Sequence, residues 1–316
     1  MASPDWQRIL GVRFFDGAAP EAVDYITRVG GYTVVPAAPA LVKIENDPTY
    51  RRALIEADLA IADSGFMVLL WRLLQRRTIA RISGLKYLRI LLAKPELHER
   101  GSIFLVLPHQ SSLEKALAWL RHEGFEIASD DCYIAPMYQR SEVRDQKSAA
   151  RPHAEAPLLP FSPAGRDARA SGSEGEGVGL GQGGVRVEKT PTPSPGIQDP
   201  KLVSVLESRK PKHVIIGIGG GIQEKLGFYL RENLSYRPAI HCIGAALAFV
   251  TGDQKPIPMW ADRMYLGWFL RLARAPHHYA RRFAPAFRLP AMIWRYGSKL
   301  PEVRGQRSEV RGENKM

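Results

Sequence analysis

Leu59-Ala-Ile-Ala62, followed at once by Asp63-Ser-Gly65, decides the fold of this chain. Four apolar residues closed by turn formers suit a buried parallel strand that ends in a loop. Working outward, Tyr32–Val35 reads as a short strand. Asp47-Pro48 then supplies an N-cap and a proline at the first helical position, opening a helix through about Ala57. Phe66–Leu74 reads as helical, and Ser102–Leu107 as a further strand. The polar loop His109-Gln-Ser-Ser112 and the helix Leu113–Glu123 come next. The same grammar resumes at Val214–Ile218, passes through Gly219-Gly-Gly221 and enters a helix over Gln223–Glu232. Strands alternating with helices predict an α/β fold, a parallel sheet with helices on both faces.

The two halves of this pattern are separated by a stretch of different character. From Gln139 to about Pro200 there are almost no large apolar residues after Leu159-Pro-Phe161, and the sequence turns to Ser171-Gly-Ser-Glu-Gly-Glu-Gly177 and Thr190-Pro-Thr-Pro-Ser-Pro195. Such a composition buries too little surface to offset chain entropy, so 139–200 is expected to be a disordered, low-complexity insert. The word Gln139-Arg-Ser-Glu-Val-Arg144 recurs as Gln306-Arg-Ser-Glu-Val-Arg311, which points to an acquired origin for both copies. The expected organisation is an α/β domain in two parts, 1–138 and 201–252. A basic, aromatic, helical C-terminal appendage over 253–300 and a disordered tail over 301–316 complete it.

The formal charge of +12 suggests an anionic partner: nucleic acid, a phosphorylated ligand or an acidic membrane surface. No helix-turn-helix or RNP-like motif is visible, so nucleic acid is not expected. Between Lys255 and Lys299 the residues Lys255, Arg263, Arg271, Arg274, Arg281, Arg282, Arg288, Arg295 and Lys299 stand against the single acid Asp262, interleaved with aromatics such as Trp260, Trp268 and Trp294. That mixture suits a bilayer interface or a phosphate pocket; a docked tail with solvated arginines is the alternative. Cys132 and Cys242 stand far apart, which argues against a disulfide framework or zinc site and fits a reducing compartment. Neither a signal peptide nor an apolar run long enough to span a bilayer is evident, so any membrane contact is expected at the surface.

Open parallel sheets bind ligands outside the carboxyl ends of their strands. Asp63-Ser-Gly65, Pro108–Ser112 and Gly219–Gly221 are expected there. Glycines before a helix allow backbone N–H groups to approach a phosphate, although a tight structural turn reads the same way. The Gly219–Gly221 run is neither a P-loop nor a dinucleotide fingerprint. Asp63 is placed for general-base work, with burial expected to tune it, unless it merely caps the next helix. Gln223-Glu224 could bind a sugar or acceptor, or complement the helix dipole. His109 and His241 read as structural.

Taken in order, several segments resemble the WecG/TagA/CpsF glycosyltransferases. They include Asp47-Pro-Thr-Tyr-Arg-Arg-Ala-Leu54, Ala57-Asp-Leu-Ala-Ile-Ala-Asp63, Arg81-Ile-Ser-Gly84 and Gly217-Ile-Gly-Gly-Gly-Ile-Gln-Glu224. Ile243-Gly-Ala-Ala-Leu-Ala-Phe-Val-Thr-Gly252, Trp268-Phe-Leu-Arg-Leu272 and Arg281-Arg282 extend the likeness. The resemblance implies a Rossmann-like fold. It also implies transfer of an N-acetylhexosamine-like sugar from a UDP-sugar donor to a lipid-linked diphosphate acceptor, in cell-envelope or exopolysaccharide synthesis. The enzyme would sit peripherally at the inner face of the cytoplasmic membrane, against an anionic surface; a homo-oligomer is left open. By this resemblance Asp63 is the catalytic base, Gln223 and Glu224 the family's Gln-Glu pair, and Arg271, Arg281 and Arg282 the diphosphate-gripping arginines. No metal or other cofactor is expected, since there is no Asp-x-Asp motif.

The chain also departs from the family pattern. Val35-Pro36-Ala37 replaces a Thr-Pro-Asn run, Leu107-Pro108-His109 a glycine-rich turn, Ala248 an aspartate, Gly267 a glutamate and His278 an arginine. Apolar replacements at hydrogen-bonding positions alter substrate choice or abolish activity. The alternative function is therefore a non-catalytic homologue that binds a nucleotide or anionic lipid as an assembly or regulatory partner.

Overall fold

The computed structural model describes residues 5–138, 197–244, 246–247 and 283–301. Asp5–Ile9 (β1) and Val12–Asp16 (β2) form an antiparallel hairpin. Its two-residue turn, Leu10-Gly11, has positive φ at both positions (51° and 81°), which matches the twist of the flanking strands. The remaining strands are Gly31–Val34 (β3), Leu59–Ala60 (β4), Ile103–Leu107 (β5), Cys132–Ile134 (β6), His213–Ile216 (β7) and Ala239–Cys242 (β8). They complete an eight-stranded sheet in the order β1-β2-β4-β3-β8-β7-β5-β6. Every pairing except β1–β2 is parallel. This is a Rossmann-like α/β architecture, and the carboxyl ends of β4, β3, β8, β7 and β5 open on one edge.

Residue alternation along the strands feeds two cores. Tyr32, Val34, Phe104, Val106, Val214, Ile216, Ile240 and Cys242 enter one cluster. The helices Ala38–Leu41 (α2), Pro48–Ile55 (α3), Gly65–Gln75 (α4), Pro200–Arg209 (α7) and Gln223–Asn233 (α8) contribute to the same cluster. Leu59, Ile103, Leu105, Leu107 and Ile215 enter the other, with the helices Ala19–Val29 (α1), Gly84–Leu92 (α5) and Gln110–His122 (α6). Helices therefore cover both faces, which explains why the central strands read as apolar runs without alternation.

Several boundaries differ from the sequence expectation. Residues Gln110-Ser-Ser112 form the first turn of α6 rather than a loop. Asp199 and Pro200 belong to the α/β domain rather than to the insert: the Asp199 carboxylate caps α7 by accepting from Leu202 N at 2.9 Å. The rest of the expected insert lies outside the described residues. So does most of the appendage, but the helix Leu289–Tyr296 (α9) is described, and its Leu289, Met292 and Ile293 are buried in the first core. Gln75 Nε2 donates to Ile293 O at 2.9 Å, Leu10 N to Gly297 O at 2.9 Å, and Arg288 pairs with Glu45 at 2.5 Å. Residues 283–301 are thus an integral part of the fold.

On the second face a buried polar chain joins α5 to three strands. Thr33 Oγ1 lies 3.3 Å from Tyr87 Oη, Tyr87 Oη 2.8 Å from His241 Nδ1, and His241 Nε2 3.1 Å from His213 Nδ1. Desolvation lowers both imidazole pKa values, that of His213 to about 4, so both rings are neutral near pH 7. His241 is structural, as expected, and it has two hydrogen-bond partners.

Candidate functional site

After β4 the buried residues Ile61 and Ala62 carry the chain to the sheet edge, where Asp63 and Ser64 diverge in role. Ser64 caps α4, its hydroxyl accepting from Met67 N at 3.3 Å. Asp63 turns instead to the next helix: its Oδ1 accepts from Gly84 N, the first residue of α5, at 3.2 Å. Arg81 Nε donates to the Asp63 carbonyl at 2.8 Å, and the Arg81 guanidinium stands 3.9 Å from Asp63 Oδ1. The Asp63 side chain is 41% exposed, so ligand access rather than burial characterises it.

Among the described residues, Val35 and Ala246 set apolar groups beside Asp63 at the start of α5. A Cβ added to Gly84 would meet Val35 Cγ1 at 3.7 Å, Ala246 Cβ at 3.8 Å and Asp63 Oδ2 at 4.0 Å. Residues from the ends of β3, β4 and β8 therefore converge on the start of α5.

Beyond β7 the chain makes its glycine turn. Gly219 and Gly221 have φ of 105° and 92°, the left-handed region that glycine enters without steric cost. A Cβ on Gly219 would meet nothing within 4 Å, so this part of the turn is open. The turn is held from within: Gly221 N donates to Glu224 Oε2 at 2.6 Å, and Gln223 N to Gly219 O at 3.1 Å.

Glu224 is wholly buried, and burial pushes its carboxyl up to about 7 against the hydrogen bonds that lower it. This corrects the expectation that Glu224 and the Gly221 amide touch substrate directly, because each satisfies the other inside the protein. Gln223, 3% exposed, donates from Nε2 to Cys242 O at 2.9 Å. Its Oε1 is buried without a hydrogen-bond partner, close against Gly244 at the end of β8. Buried polar atoms are rarely left unpaired, so an orphan acceptor at a sheet edge suits a ligand donor group.

A family model described as "Glycosyl transferase WecG/TagA/CpsF family" matches residues 7–154 and 184–304. The chain belongs to this glycosyltransferase family. No curated protein matches it. Within this WecG/TagA/CpsF member, the structure brings Asp63, Gly219, Gly220 and Gln223 to the same edge of the sheet, at the ends of β4 and β7. Those ends are three strand spacings apart, roughly 14 Å. Arg271, Arg281 and Arg282, like Ala248, Gly267 and His278, lie outside the described residues. Among the described residues no group of three His, Cys, Asp or Glu side chains could hold a metal ion.

Sequence reasoning misses two neighbours of the site. Arg81 belongs to the segment Arg81-Ile-Ser-Gly84, but nothing in the sequence links it to Asp63. Lys43 carries no motif, yet its ammonium comes within 3.7 Å of where a Cβ on Gly221 would lie.

Proposed function

We propose that this member of the family transfers an N-acetylhexosamine-like sugar from a UDP-sugar to a lipid-linked diphosphate acceptor, serving cell-envelope or exopolysaccharide synthesis. Family membership establishes the class of transferase, and the observation that carries the reading to this site is the environment of Asp63. An accessible carboxylate stands at the carboxyl end of a parallel strand, oriented by Gly84 N and accompanied by Arg81. In the proposed step Asp63 accepts the proton of the acceptor hydroxyl while that oxygen bonds to the anomeric carbon. The bond from that carbon to the donor's diphosphate breaks, and the nucleoside diphosphate departs with its electron pair. Gln223 Oε1 receives an N–H or O–H of the donor, which satisfies its missing hydrogen bond.

The acceptor's lipid places the protein on a membrane surface. Among the described residues no helix is long and apolar enough to cross a bilayer, and the basic aromatic segment 255–299 supplies the attraction to anionic headgroups. One observation favours a second reading: Val35 and Ala246 put apolar groups beside Asp63 at the start of α5, which fits a homologue that binds a nucleotide without turning over. A thermal-shift screen with UDP, GDP and ADP, followed by turnover assays with the corresponding sugars, separates the two. A ligand at a hundredfold its Kd raises stability by about 2.7 kcal/mol. Stabilisation by UDP with turnover supports the transferase; stabilisation without turnover for any donor supports the binding protein; no stabilisation by any nucleotide refutes both.

A further inference from the structure

The geometry points to Lys43 and the Gly219–Gly221 turn as the subsite for the donor's diphosphate, with Lys43 its charged contact. This deepens the proposed reading of the chain as a nucleotide-sugar transferase and rests on it.

Lys43 lies in the 3-10 turn Val42–Glu45, which follows β3 after the short helix Ala38–Leu41 and reaches the Gly219–Gly221 turn. Its backbone is fixed: Lys43 O accepts from Asn46 N and Asp47 N, both at 2.9 Å. Asp47 in turn pairs at 2.5 Å with Lys225 in the first turn of α8, both side chains being largely buried. That ion pair clamps the turn carrying Lys43 to the helix that follows the glycines, and it holds the Lys43 ammonium over Gly221.

The nearby carboxylates are accounted for. Glu45 is engaged by Arg288, and Asp47 by Lys225. Glu224 lies beneath the turn, fully buried and bonded to the Gly221 amide; the Lys43 charge acts on it from above and makes no ion pair with it. Among the described residues Lys43 has no ion pair, and it is exposed. It therefore presents a positive charge to solvent above a turn whose open side, at Gly219, carries no side chain.

A diphosphate fits this arrangement. Its oxygens suit the ammonium as a point charge, and the N-terminus of the eleven-residue α8 favours an anion. The orphan Gln223 Oε1 supplies the second sign of a ligand. It sits in the first turn of the same helix, more than nine-tenths buried, and accepts a donor that a phosphate lacks but an attached sugar or nucleoside has. Phosphate above the turn and a hydroxyl or amide beside Gln223 match the two ends of one sugar–diphosphate linkage.

The test is calorimetric titration of the full chain and of Lys43→Gln and Lys43→Arg with UDP, uridine and inorganic pyrophosphate. Losing a charge-assisted contact weakens UDP binding by roughly tenfold or more in Lys43→Gln. Lys43→Arg stays near wild type, and uridine affinity does not change in either variant. The weakening shrinks as salt rises, because Lys43 is exposed. Equal UDP affinity in wild type and Lys43→Gln overturns the proposal, as does an equal loss for uridine. Pyrophosphate binding that depends on Lys43, with no nucleotide bound, keeps the subsite and removes the nucleotide-sugar reading. Binding of none of the three probes to the wild type removes both.

Discussion

Tyr138 Oη donates to Asp199 Oδ2 at 2.6 Å. Tyr133 Oη reaches the same carboxylate at 3.0 Å, and its other oxygen accepts from Leu202 N at 2.9 Å. These residues stand on either side of the Gly/Ser/Pro-rich stretch, so its two flanks lie within hydrogen-bond distance of each other. Deleting residues 140–196 and joining the ends through a short flexible linker should leave a single cooperative melt, with the midpoint moved by only a few degrees. The deletion has to spare Asp199, whose loss would uncap α7 at about 1 kcal/mol. A broad or strongly lowered melt would mean that the segment helps hold the sheet together.

Two buried groups give stability opposite dependences on pH. Glu224 has a folded pKa near 7, above its ordinary 4.5, so the stability it contributes is present below 4.5 and lost as pH rises through 7. The loss is of the order of 3 kcal/mol. Glu224→Gln keeps an oxygen for the Gly221 amide and should flatten the decline between pH 5 and 8 in denaturant titrations.

His213 has a folded pKa near 4, below its ordinary 6.5, so its contribution is present above 6.5 and lost as pH falls toward 4. His241 shifts in the same direction. His213→Asn should remove part of the loss between pH 6.5 and 4. An unchanged pH profile in both variants would contradict the burial that drives these shifts.

Docking of α9 alters how membrane attachment is tested. Truncating the chain after Gly252 would strip Leu289, Met292 and Ile293 from the core and unfold the protein for reasons unrelated to lipid. The informative variant is full length, with Arg271, Arg274, Arg281 and Arg282 replaced by Gln. Its sedimentation with anionic vesicles should fall well below wild type, and the wild-type signal should weaken as salt rises. Equal sedimentation of the two proteins would place membrane contact elsewhere or nowhere.

What is legible in the sequence follows from range. β5, β7 and the Leu59-Ala-Ile-Ala62 run announce themselves because strands buried on both faces are continuously apolar, and Asp47-Pro48 marks a helix start by purely local chemistry. The hairpin β1–β2 is harder to see, since Gln7, Arg8 and Arg13 break the apolar pattern and its turn places Leu10 at positive φ. The site divides in the same way. The place of Asp63 at a strand end is legible from the local sequence, because Leu59–Ala62 is apolar and Asp63-Ser-Gly65 closes it. Its orientation is not, because Gly84 N stands 21 residues further on and only folding brings it within 3.2 Å. Glu224 reads as a polar helix start, but the Gly221 turn folds over it and removes it from the surface. Lys43 belongs to no motif, and its place above the glycines depends on the tertiary pair Asp47–Lys225.

The most direct test of the transferase reading is Asp63→Asn. The amide keeps an oxygen that can accept from Gly84 N, and Ser64 independently caps α4, so the melting temperature should move little. What the amide cannot do is accept the proton of an acceptor hydroxyl. Turnover should therefore drop by roughly 10²–10⁴-fold while donor KM stays near wild type, the pattern of an interaction made mainly in the transition state. The measurement is release of free nucleoside diphosphate from a UDP-sugar in the presence of a lipid-diphosphate acceptor, alongside a melting curve. A purely structural Asp63 gives a different result. Orienting the start of α5 needs only a side-chain oxygen, which Asn supplies as well as Asp. Near-wild-type turnover in Asp63→Asn would therefore leave Asp63 a helix anchor and send the search for the base elsewhere on the same sheet edge.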